Sequence, residues 1–119
     1  MATFTKAKLS GSAADGRGIK ITTTATAGNV IHTAVAGTSA GVFDEIWVWA
    51  TNTSTSAVKI TIEYGGVADA DDLIEVTIPA ESGLQQILPG LILQNGLIVR
   101  CFAASANVVV LHGFVNSIA

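Results

Sequence analysis

Val58-Lys59-Ile60-Thr61-Ile62-Glu63-Tyr64 decides the fold. Val58, Ile60, Ile62 and Tyr64 fall on one side of an extended chain, and Lys59, Thr61 and Glu63 on the other. A period of two built on β-branched residues marks a half-buried strand. The same signal extends in both directions. Upstream, strands are expected over residues 19–24, 29–35 and 43–51. Downstream they are expected over 73–78, where Pro79 stops the run, and over 107–115. Leu88-Pro89-Gly90-Leu91 fits a type II turn, with Pro setting φ and Gly taking the positive φ. Asn95-Gly96, between Leu91-Ile92-Leu93 and residues 97–103, is the strongest short-range hairpin signal in the chain. The spacing of Leu84, Ile87, Leu88 and Leu91 is helical, but Pro89-Gly90 breaks it before two turns are complete. Short strands with Gly, Pro, Asn and Asp between them predict an all-β, single-domain antiparallel β-sandwich or a jelly-roll-like barrel.

Residues 1–18 differ in kind. They are small, polar and rich in Gly, Ser and Ala, and read as an extended N-terminal arm on a β-sandwich domain of residues 19–119. If such an arm is ordered, the domain itself or a neighbour must hold it.

Two strands are apolar on both faces. In 43–51, Ile46, Val48 and Ala50 share one face while Trp47 and Trp49 share the other. In 107–115, Val109, Leu111 and Val115 oppose Val108, Val110 and Phe114. A two-layer sandwich buries one face of each sheet, so the second face needs a cover. Two Trp side chains carry roughly 150–250 Å² each. At about 25 cal/mol per Å² their burial is worth several kcal/mol as an upper estimate. The cover is the chain itself or another subunit, and an oligomer with Trp47 and Trp49 near the contact is expected.

Composition narrows the function. The chain has 119 residues, 50% hydrophobic and 13% charged, with a net charge of -3. Its six Lys and Arg are scattered along the sequence, whereas nucleic-acid binding needs clustered cations. No stretch reaches the length of a membrane span, and no secretory leader follows Lys6 and Lys8; synthesis in a host cytoplasm is expected. Cys101 is the only cysteine and reads as a small core side chain.

The motifs for chemistry are weak. Gly37-Thr38-Ser39-Ala40-Gly41 has the form of a nucleophile elbow, but a strand follows it where a helix is needed. His32 and His112 sit among apolar neighbours and read as structural. Asp69, Asp71, Asp72 and Glu75 lack the full calcium-loop pattern and read as a solvated turn. No catalytic residue, metal or cofactor is expected.

Three stretches, residues 28–54, ITIEYGG at 60–66 and residues 78–119, resemble small virion proteins of tailed bacteriophages, in particular capsid decoration, or cement, proteins. The likeness rests on HTA at 32–34, DEIWVWA at 44–50, the Gly65-Gly66 pair and GFVN at 113–116. It implies a β-rich protein on the capsid exterior of a virion, often a homotrimer, that binds the major capsid protein, bridges capsomers and resists the pressure of packaged DNA. The candidate protein-contact residues are Phe4, Lys6 and Leu9 of the arm, with Trp47 and Trp49. The alternatives are a tail, neck or fibre-associated virion protein, and a glycan-binding module in which Trp47, Trp49 and Tyr64 stack on sugar.

Overall fold

The computed structural model describes residues 3–119. Its nine strands are β1 (Phe4–Lys8), β2 (Ile19–Lys20), β3 (Asn29–Thr33), β4 (Phe43–Asn52), β5 (Val58–Tyr64), β6 (Leu73–Ile78), β7 (Gln85–Leu93), β8 (Ile98–Ala103) and β9 (Val109–Ile118), with no helix among the described residues. One sheet has the order β1-β9-β4-β7, with β2 also paired to β9, and the other has the order β3-β8-β5-β6. All pairings are antiparallel. The two-sheet all-β expectation holds, and the strand order refines it. Ile19 pairs with Leu111, Asn29 with Cys101, Ala50 with Gln85 and Ile60 with Val76. These pairs nest inside one another around the turn that follows β5. The chain is thus a long two-stranded ribbon, folded in half and rolled so that successive segments fall in opposite sheets, which is the winding of a jelly roll.

The core follows from the alternation. Along β4 every second residue is buried, and Ile46, Val48 and Ala50 are fully enclosed. They meet Ile60 and Ile62 of β5 and Val99 and Cys101 of β8 in one cluster. Each fully buried Ile is worth roughly 1.5–3 kcal/mol of transfer free energy. Burial, helped by the negative charge of Glu63, pushes the Cys101 thiol up to about 12. The cysteine is therefore a protonated core side chain at neutral pH.

Three local expectations change. Asn95 and Gly96 do take positive φ, 65° and 66°, but β7 and β8 lie in different sheets. The turn is a corner between layers and not a hairpin. Its amides bond to Gly37 O and Val35 O, which lie outside the two strands it joins. Pro89-Gly90 is not a turn either. β7 runs straight through it, and the register slips between Ile46↔Leu91 and Trp47↔Pro89. Gly90, at φ 82°, is the extra residue of a bulge on an edge strand, where a proline costs no ladder bond.

Part of the outward side of β5 is also covered, although Lys59 stays exposed. Thr61 and Glu63 are buried, Glu63 completely. The connection between β2 and β3 folds across them, with Thr26 Oγ1 donating to Glu63 Oε2 at 2.6 Å and Gly28 N–H to Oε1 at 2.7 Å. Finally, the described part of the N-terminal segment lies against its own domain. β1 forms the edge of the larger sheet, from Phe4↔Ile118 to Lys8↔Phe114. Ser10 N–H donates to His32 Nδ1 at 3.0 Å, and Gly11 N–H to Ile31 O at 2.9 Å.

Candidate functional site: the outer face of the larger sheet

Directly opposed residues in an antiparallel pair share a face, so the registers assemble the outer surface of the larger sheet. Phe4, Lys6 and Lys8 come from β1. Phe114, Asn116 and Ile118 lie opposite them on β9, and Phe43, Glu45 and Trp47 opposite those on β4. Trp49 continues the β4 row, opposite His112.

Trp47, Trp49 and Phe114 form an aromatic tract. Their ring centroids are 6.3, 6.2 and 6.1 Å apart and their planes lie within 13–25° of parallel. All three are half-buried. The Trp47 indole covers the bulge at Gly90, where a Cβ would come within 2.7 Å of Cζ2. The bulge and its missing side chain make room for the ring. Trp47 Nε1–H donates to Glu45 Oε1 at 2.7 Å, and Asn116 Nδ2–H to the same oxygen at 2.9 Å. These donors, Asn116 foremost, hold the Glu45 carboxyl below its ordinary range. The Lys6 ammonium sits 4.4 Å above the Phe114 ring, a cation–π arrangement. At the end of the sheet nearest Phe43, Phe4 and Ile92 are 64% and 58% exposed. There Phe43, Ile92 and Leu97 line a shallow hollow of about 360 Å³.

Four of the five candidate contact residues, Phe4, Lys6, Trp47 and Trp49, therefore share one face. Leu9 does not. It is 2% exposed and packs in the core, because the alternation that turns Lys6 and Lys8 outward turns Leu9 inward. Glu45, Phe114 and Asn116 complete the face. Glu45 was not singled out in the sequence although it lies two residues from Trp47 on β4, and only the β4–β9 register brings Phe114 and Asn116 beside Trp47.

The remaining motifs settle elsewhere. The loop carrying Ser39 leads directly into β4, and the Ser39 carbonyl accepts from Val42 N–H and Gln94 Nε2–H. His32 is buried against Asp44, with Nε2 2.6 Å from Oδ2. Because Nδ1 accepts from Ser10, Nε2 carries the proton toward the carboxylate. Asp72 Oδ2 accepts from Ala68 N–H within its own turn. Among the described residues no three His, Cys, Asp or Glu side chains gather in a metal-binding group. Tyr64, half-buried with its hydroxyl donating to Ile92 O at 3.0 Å, lies in the smaller sheet, apart from the tryptophans. Burial pushes its phenol up to about 12.

No family model matches this chain, and neither a curated protein nor a solved structure is found similar to it.

Proposed function

We propose that this chain is a structural protein that docks through the outer face of its larger sheet, and that the assembly it joins is a bacteriophage head. There it binds the major capsid protein from outside, bridges capsomers as a decoration protein and contacts further copies of itself, in the homotrimeric arrangement that the sequence resemblance implies. The observation that carries the docking reading is the collection of Phe4, Lys6, Trp47 and Trp49 on one face, beside the exposed Ile92. Large apolar side chains grouped on a surface favour a protein contact. The virion reading rests on the sequence stretches that resemble decoration proteins. The jelly-roll winding agrees with it by fold-level analogy, since capsid and lectin domains both use that architecture.

Immunogold labelling of intact particles from the source culture tests this reading. Gold spread over the heads is the expected result. Gold confined to the tail or neck would move the protein to that part of the virion, and particles without label would overturn the virion role.

A further inference from the structure

At the end of the larger sheet away from Phe4, the outer face opens into a groove of about 580 Å³. The segment 13–20 forms one wall, and Val110 and His112 line the other side. Gly18 packs so closely on His112 that a Cβ would approach Cε1 to 2.6 Å, so the groove depends on a residue without a side chain there. The wall is tied in place: Ser12 Oγ–H donates to Arg17 O at 2.8 Å, and Arg17 N–H to Ala14 O at 2.9 Å.

The ionisable residues lining this groove are Arg17, Lys20 and His112, with no carboxylate among them. Lys8 stands beside the wall at Gly16, and Asp15, in the same segment, does not line the groove. Four of the six Lys and Arg lie within residues 6–20, where Asp15 is the only acid. The cations read as scattered in the sequence, but the fold places Lys8, Arg17 and Lys20 around one groove on an otherwise acidic chain. The aromatic tract leads into it, because His112 is the cross-strand partner of Trp49, whose ring lies 6.1 Å from Phe114.

We propose that this groove and Trp49 together bind an anionic polysaccharide built of uronic-acid units. A pyranose ring presents C–H groups on one face, which pack on an indole without directional hydrogen bonds, and its hydroxyls and carboxylate point outward from the ring. Arg17 and Lys20 supply charge-assisted hydrogen bonds to the carboxylates. Nucleic acid would present phosphates and bases to the same cations and ring, and a single-stranded oligonucleotide that binds more tightly than polygalacturonate would overturn the proposal. This binding shares Trp49 with the docking reading, whose other residues, Phe4, Lys6 and Trp47, lie outside the groove.

Polygalacturonate is the probe, with neutral dextran and polyglutamate as comparisons, in a titration followed by calorimetry. Polygalacturonate should bind, more weakly as salt rises. Its affinity should fall roughly tenfold or more in the Arg17→Ala/Lys20→Ala double variant and in Trp49→Ala. Trp49→Phe, which keeps a ring, should fold and retain part of the affinity. Lys59→Ala, which removes a cation ion-paired with Glu75 on the other sheet, should leave binding unchanged. The proposal is overturned by equal or tighter binding of dextran or polyglutamate, by no binding of polygalacturonate, or by an affinity that the groove variants do not alter.

Discussion

Gly113→Ala is expected to prevent folding. Gly113 sits in the middle of β9, opposite Val48, and a methyl group there would overlap the carbonyl oxygen of Trp47. The atom in the way is main chain, so no rotamer change can relieve the overlap. β9 is also locked between β4 on one side and β1 and β2 on the other. Overpacking in a rigid site commonly costs about 1–3 kcal/mol and sometimes more. Here a shift of β9 also disturbs the ladder shared by both halves of the sheet, and a loss beyond about 3 kcal/mol is expected, a large fraction of the stability of a small domain. Circular dichroism should show an unfolded or insoluble variant. Gly41→Ala is the control. A Cβ there meets nothing within 4 Å and the residue has no positive φ, so it should fold normally and gain up to about 1 kcal/mol from a less flexible unfolded chain.

Glu63→Ala should cost roughly 1–3 kcal/mol, because it leaves the buried Gly28 amide without its acceptor and removes the partner of the Thr26 hydroxyl, which sits on an exposed residue. The connection between β2 and β3 should then lift from the smaller sheet. Two readouts separate this from general destabilisation. Limited proteolysis should cut first within residues 22–28. Cys101, whose thiol faces the core on the other side of the sheet, should stay unreactive toward a thiol reagent under native conditions, whereas general destabilisation would expose it. Glu63→Gln keeps one acceptor and should lose about half as much. Urea melts that place both variants within about 0.5 kcal/mol of the parent would show that Glu63 does not hold that segment.

The contrast between Ile62 and Glu63 shows what the sequence discloses. Alternation correctly assigns the two residues to opposite faces of β5, because strand geometry alone sets that period. It does not say what lies above each face, and Glu63 is buried by a segment some 35 residues earlier in the chain. Asn95-Gly96 fails for a related reason. The two positive φ values are local and readable, yet the same backbone serves a hairpin or a corner between sheets. β1 has no burial signature at all, since all five of its residues are exposed and it is held through main-chain hydrogen bonds. Trp47 and Trp49 were legible as an unusual second face, whereas Phe114 joins them only through register. The groove was the least legible feature, because Arg17 and Lys20 meet His112 only once β2 has paired with β9.

The docking face is tested most directly by measuring mass in solution. Phe4 and Ile92 are largely exposed, so the Phe4→Asp/Ile92→Asp double variant should keep the parent's thermal stability while placing two charges on the proposed contact. Multi-angle light scattering should find the parent protein as a multimer and the double variant as a monomer with an unchanged melting curve. A parent protein that stays monomeric at high concentration, or a multimer that the two aspartates leave intact, would contradict self-association through this face.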